Sequence, residues 1–237
     1  MCNLYRQRSG PQTIMDLAQA LRSNVGNLEP RDIYPDYAAP IVRTGADGVR
    51  ELVEARWGMP SPRNILMEKT GKRADKLRAK GRIIDPAEFA SMLELEPDTG
   101  ITNVRRTDSR HWQPDLTPAN RCLVPFTAFS EPGRDGDGKY QPIWFKLNVD
   151  DPDPLAFFAG IHRLDWTGVR RAKTGRETID LMAFLTTEPS EPVKSVHPKA
   201  MPVILTEPDD IETWMTAPWE IAKELQRALP DDALVVI

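Results

Sequence analysis

Leu155-Ala-Phe-Phe-Ala-Gly-Ile-His162 and Thr178-Ile-Asp-Leu-Met-Ala-Phe-Leu-Thr186 are the stretches on which the fold turns. Both are short apolar runs with aromatic and β-branched residues between polar, turn-forming segments, the pattern of strands buried on at least one face. A third strand is expected from Pro142 to Val149, and the connections among the three read as hairpins, so antiparallel pairing follows.

Working outward, Arg121-Cys-Leu-Val-Pro-Phe126 reads as a buried strand that Phe129-Ser-Glu131-Pro-Gly closes. Ile41-Val42 and Val49 to Trp57 read as strands separated by the turn Gly45-Ala-Asp-Gly48, and Val203 to Leu205 as another, entered from the polar segment that holds His197. Residues 30 to 40, with three prolines and two tyrosines, predict an extended loop.

Ile14, Leu17, Ala18 and Leu21 have helical spacing within Thr13 to Ser23, and Thr13 with Asp16 resembles a capping box. Further helices are expected from Pro86 to Leu95 behind Asp85, from Glu207 with Thr206 as N-cap, and from Pro218 to Leu229. Residues 61 to 100 are otherwise the least regular part and read as an insertion within one domain spanning 1–237. Strands mixed with peripheral helices, without β-α alternation, predict an α+β fold: mostly antiparallel strands in a barrel-like or sandwich core.

The chain has 237 residues, 22 prolines, two cysteines (Cys2 and Cys122) and a formal charge of −4. Two cysteines make no disulfide framework and fit a reducing compartment, so the cytoplasm is expected. No run approaches the roughly 20 apolar residues of a membrane span, so no membrane association is expected. The net charge argues against coating nucleic acid through overall charge, but two basic runs stand out, Arg63 to Arg82 and Arg163 to Arg176. Either is a solvated face or a phosphate contact.

His111, His162 and His197 are far apart and near neither cysteine, so no zinc spacing and no metal site is expected. Gly-rich phosphate loops, G-x-S-x-G and H-E-x-x-H are absent, and no cofactor is expected. What remains is Cys2, directly after the initiator, with Asn103, Arg105, Glu131 and His197. Trimming of Met1 would leave a 1,2-aminothiol whose amine (pKa about 7.7 to 8.0) and thiol (about 8.5) both reach nucleophilic forms near neutrality. Each residue also has a plain reading: a small second residue, a turn cap, a surface cation, a solvated carboxylate, a histidine bound to a carbonyl.

Taken in order, these residues and their flanks resemble the SOS-response-associated peptidase family, the abasic-site processing proteins. The resemblance rests on Met1-Cys2, Asp36-Tyr-Ala-Ala-Pro40, Trp57-Gly-Met-Pro-Ser-Pro62, Asn103-Val-Arg105, Arg121-Cys-Leu-Val-Pro125 with Glu131, and Thr186, His197 and Met201-Pro-Val-Ile-Leu205. The chain departs from the family at Asn3-Leu4, where Gly-Arg is usual, at Pro132, where an aromatic is usual, and at Lys199, which stands for an arginine; Arg6 or Arg8 are candidates for the missing phosphate contact.

A monomer is expected, and the resemblance implies a protein that binds single-stranded DNA containing abasic sites and traps the ring-opened aldehyde on Cys2 as a thiazolidine. It implies catalytic roles for Cys2, Asn103, which would fix the amine, Glu131 and His197. It implies DNA contacts by Arg105, Pro40, Trp57, Arg110, Thr186 and Lys199, with Trp57 open to a core reading. A cysteine peptidase using Cys2 and His197, and a non-catalytic single-strand binder, are the alternatives.

Overall fold

The computed structural model describes residues 2–134 and 136–237. In chain order its first half runs β1 (Leu4–Gln7), α1 (Pro11–Ala18), β2 (Arg22–Ser23), β3 (Arg31–Ile33), β4 (Ala38–Thr44), β5 (Arg50–Trp57), α2 (Arg63–Arg78), α3 (Pro86–Glu94) and β6 (Asn103–Val104). The second half runs β7 (Arg121–Phe126), β8 (Ala128–Arg134), β9 (Tyr140–Leu147), β10 (Ala156–Val169), β11 (Arg176–Thr187), α4 (Val193–Val196), β12 (Met201–Pro202), β13 (Ile204–Leu205), α5 (Pro208–Thr216), α6 (Trp219–Ala222) and β14 (Leu234–Val236).

Five strands close into a barrel. The order β11-β10-β7-β4-β5 is antiparallel throughout, and a parallel contact of β5 with β11, Arg56 opposite Leu181 and Trp57 opposite Met182, completes the ring. A separate five-stranded sheet, β14-β9-β8-β1-β3, carries the N-terminus. The fold is therefore α+β, and β10 and β11 form the expected antiparallel hairpin. β9 does not join them; it pairs with β8 and β14 in the second sheet.

Strand alternation feeds two cores. Val42, Leu52, Leu123, Phe157 and Leu181 pack with Ile14 of α1 and Trp214 of α5. Their neighbours Ile41, Val53, Val124, Phe158 and Met182 pack with Cys2, Tyr5, Phe129 and Phe145 from the second sheet. The second core is aromatic, with Phe126 stacked on Phe158 at 3.9 Å and Trp57 on Phe184 at 5.1 Å.

Several local expectations give way to tertiary bonding. α1 starts at Pro11 with Gly10 as cap and ends at Ala18, where Gln19 turns left-handed (φ 53°), so the Thr13–Asp16 box is not used and Leu21 lies outside on the surface. The loop of residues 30 to 40 contains β3 and the start of β4. α5 is capped by Glu207, one residue after Thr206. The last helix is short: α6 passes into a 3₁₀ turn, Lys223–Leu225, and stops at Gln226.

The largest difference is α2, a 16-residue helix where no periodicity exists, with only Thr70 and Ala74 buried. Its helix-forming side chains and its ion pairs hold it. Lys72 meets Glu68, Arg78 meets Asp75, Arg82 reaches Glu88 in α3 and Arg73 reaches Glu96 just after it. Part of the second basic run is structural as well. Arg163 grips the buried Asp115, and buried Arg170 donates to the carbonyls of Asp98 and Gly58. Gly100, at φ +79°, abuts this guanidinium; a Cβ there would sit 2.4 Å from Nη1.

Buried His162 on β10 makes one acid-sensitive contribution to stability. Burial, then the Arg43 cation, lower its pKa from 6.5 to about 4, so the folded state holds a neutral ring. The unfolded chain binds the extra proton, so stability present above pH 6.5 is lost as pH falls toward 4, by on the order of 2–3 kcal/mol. In urea denaturation at pH 7 and pH 5, His162→Leu should gain stability relative to wild type on going to pH 5, because it lacks this loss; equal pH slopes in the two proteins would contradict the assignment.

Candidate functional site

β1 lies between β3 and β8, with Leu4 opposite Ser130, so the register continues toward Cys2 on one strand and Glu131 on the other. The Ser130 hydroxyl donates to the Leu4 carbonyl at 3.3 Å, tying the strands where both residues sit. Cys2 is wholly buried, and its thiol donates to the same carbonyl at 3.5 Å. Burial first, then the Glu131 carboxylate, push the thiol far above its ordinary value, so it rests as S–H.

Asn103 is delivered from across the molecule by β6, which pairs in parallel with β11, Asn103 opposite Phe184. Its Nδ2 donates to the Cys2 carbonyl at 2.7 Å and to Thr102 Oγ1 at 2.8 Å. The carboxamide thus fixes the main chain of Cys2 through its carbonyl, where an amine contact was expected. Asn103 Oδ1 and the hydroxyl of Tyr5, both buried, have no hydrogen-bond partner among the described residues.

Glu131 is buried on β8, and burial raises its pKa from 4.5 to about 7. The short helix α4 ends at His197, whose Nδ1 lies 3.7 Å from Glu131 Oε2 and 3.0 Å from the Ala200 carbonyl oxygen. Thus Cys2, Asn103, Glu131 and His197, from four separate parts of the chain, meet at one place. A carboxyl that titrates near neutrality beside an imidazole can donate a proton and take one back.

The expected DNA contacts divide. Arg105, one residue beyond β6, is half-buried and bonds Glu188 through Nη2. Thr186 is buried on β11, on the same face as Phe184, with its hydroxyl unpaired among the described residues. Arg110 and Lys199 are exposed, Lys199 in the turn after His197.

Trp57 and Pro40 cannot serve as surfaces for DNA. Trp57 is wholly enclosed between Tyr5 and Phe184, with its indole N–H on the Thr102 carbonyl at 2.9 Å, and Pro40 is buried within β4 opposite Glu54. The core reading of Trp57 is the correct one. Nor does Arg6 or Arg8 stand free beside Cys2, since Arg6 pairs with Asp32 and lies over Trp144 while Arg8 pairs with Asp153.

One feature of the site escaped sequence reasoning. A cleft of about 370 Å³, lined by Asn3, Leu4, Tyr34, Ser130, Pro132 and Tyr140, opens at residues that are sequence neighbours of Cys2 and Glu131. Tyr34 is 45% and Tyr140 66% exposed, unusual for aromatic rings. Both tyrosines are plain in the sequence, but their exposure depends on the chain just after β3, which pairs with β1, and on β9, which pairs with β8. Among the described residues, no three His, Cys, Asp or Glu side chains converge to hold a metal, and no helix is long and apolar enough to cross a membrane.

Solved structures share this architecture. A protein from Bordetella bronchiseptica is 22% identical, covers 99% of this chain and 98% of its own, and superposes with a TM-score of 0.65. A protein from Bacteroides thetaiotaomicron is 18% identical over 100% of this chain and 92% of its own, with a TM-score of 0.64. A phage-related protein from Bordetella bronchiseptica is 19% identical over 100% and 93%, with a TM-score of 0.61. At these identities the likeness establishes the fold alone. No curated protein matches the chain. The model of the SOS response associated peptidase (SRAP) family matches residues 99–236, more than half of the chain and the part that carries Asn103, Glu131 and His197, and the chain belongs to that family.

Proposed function

We propose that the protein, once Met1 is removed, captures the aldehyde of an abasic site in single-stranded DNA as a covalent thiazolidine on Cys2. The observation that carries this reading is the convergence on Cys2 of Asn103, bonded to its carbonyl, and of the Glu131–His197 pair. The Cys2 amine adds to the aldehyde carbon to give a carbinolamine. Neutral Glu131 protonates its hydroxyl, which leaves as water and yields the iminium. The Glu131 carboxylate then takes the thiol proton as Sγ bonds to the iminium carbon, closing the ring.

One water is released and Glu131 is restored, so a single group acts first as acid and then as base. The high thiol pKa makes that base necessary, because a protonated thiol adds poorly. His197, beside Glu131, passes protons between it and the sugar oxygen. A peptidase reading asks for a thiolate paired with imidazolium, and burial pushes the Cys2 thiol the opposite way.

In this reading Tyr34 and Tyr140 offer faces for bases next to the lesion, and Arg105, Arg110 and Lys199 hold phosphates, so affinity falls with salt and is indifferent to sequence. The direct test is incubation of Met1-processed protein with single-stranded DNA carrying one abasic site, followed by a denaturing gel. A shifted covalent band is expected, and its absence would sink the proposal.

Glu188 competes with phosphate for Arg105, and it is 80% exposed. An exposed pair is worth little, so Glu188→Gln should tighten binding of unmodified single-stranded DNA about two- to five-fold at low salt. Fluorescence anisotropy reads this; unchanged or weaker binding would remove Arg105 from the phosphate contacts.

A further inference from the structure

β6 carries Asn103 to Cys2, yet it is only two residues long and its pairing with β11 consists of Asn103 opposite Phe184 and Val104 opposite Leu185. So short a ladder leaves its register weakly held. The next pair in sequence would be Arg105 with Thr186. There the ladder is replaced by one side chain from the C-terminal part of the chain: Gln226 Nε2 donates to the Arg105 carbonyl and to the Thr186 carbonyl, each at 2.9 Å.

The rest of Gln226 is also engaged. Its Oε1 accepts from Thr107 Oγ1 at 2.8 Å, and its main-chain carbonyl accepts from Thr187 Oγ1 at 3.1 Å. Gln226 is itself well anchored, because Ala222 and Leu225 are buried in one core and Ala228 and Leu229 pack on the other. Both amide hydrogens and the amide oxygen are spent on β6, β11 and the residues just after them.

We propose that Gln226 is a positioning residue for the Cys2 site: its carboxamide clamps the end of β6 to β11 and so holds Asn103 against the Cys2 carbonyl. Arg105 and Thr186 are set by the same clamp. The inference rests on the proposed role of Cys2 as the reacting residue, but the clamp itself has a readout that does not depend on that role. The chemistry asks for a carboxamide. A carboxylate of the same shape has no hydrogen to give and would set its charge against two carbonyl oxygens, and alanine leaves both carbonyls without a donor.

The test compares wild type with Gln226→Ala and Gln226→Glu by two measurements. Hydrogen exchange followed by NMR reads the Val104 amide against that of Phe158, a barrel-strand control; a single-turnover assay reads crosslinking at saturating abasic single-stranded DNA. In both variants Val104 should exchange at least about tenfold faster with Phe158 unchanged. Crosslinking should slow about ten- to a hundredfold, the scale of a misplaced reacting group.

Gln226→Glu should regain part of the rate as pH falls and its carboxyl gains a proton to donate. Wild-type exchange at Val104 in both variants would overturn the clamp, and fast exchange with a wild-type crosslinking rate would overturn the positioning role. If the wild type itself forms no crosslink, the proposed function fails, and exchange at Val104 with the Asn103 side-chain amide resonances decides the clamp alone.

Discussion

A chain that keeps Met1 should form no covalent adduct with abasic DNA, although its Cys2 thiol is intact. With Met1 in place the Cys2 nitrogen is an amide, and an amide lone pair does not attack an aldehyde. The thiol alone offers no substitute, because burial keeps it protonated and a thiol adding to an aldehyde gives only a reversible hemithioacetal. An extension that blocks removal of Met1 should therefore abolish the band on a denaturing gel. Cys2→Ser, trimmed normally, should give an imine that is lost on denaturation unless borohydride traps it. The account fails if uncleaved protein crosslinks as fast as the processed form.

Replacing Glu131 should separate activity from stability. Glu131→Gln removes the group that both gives and takes protons, so crosslinking at saturating DNA should slow by about 10²- to 10⁴-fold. The fold should gain. In the wild type the carboxyl holds its proton up to about pH 7 when folded but only to about 4.5 when unfolded, so the native state binds more protons in that window. Stability present below pH 4.5 is lost as pH rises through 7, by on the order of 2–3 kcal/mol.

Glu131→Gln should restore most of that at pH 8 and little at pH 4.5, read as denaturation midpoints at both values. Between pH 4.5 and 6.5 this slope opposes that of His162, which predicts a nearly flat wild-type profile there. A variant of Glu131 that is less stable at pH 8 than wild type would contradict the assigned burial cost.

The strands of the barrel were readable because period-2 burial writes itself locally, and β7, β10 and β11 lie near the residues expected. Their partners were less readable. β9 joins a different sheet because pairing is decided by β8 and β14, the latter at the far end of the chain. α2 leaves no periodic signal because its stability comes from propensity and charge pairs rather than an apolar stripe. The last helix stops short because Gln226 leaves helical geometry (φ −75°, ψ 59°) to bond Arg105 and Thr186.

The order of Cys2, Asn103, Glu131 and His197 along the chain makes them candidates, and the structure brings the four together. The contact made by Asn103, the burial of Trp57 and Pro40, the exposed tyrosines and the clamp at Gln226 arise from long-range packing and leave no local trace in sequence.

The central claim is that the Cys2 amine and thiol react together. Its most direct test is mass spectrometry of the N-terminal peptide released from the wild-type adduct with and without borohydride. A thiazolidine predicts the Met1-free peptide bearing the sugar remnant less one water, with its mass unchanged by the reductant. Two added hydrogens after borohydride would show an open imine, and a remnant on any other peptide would place the chemistry elsewhere; either result would contradict the account.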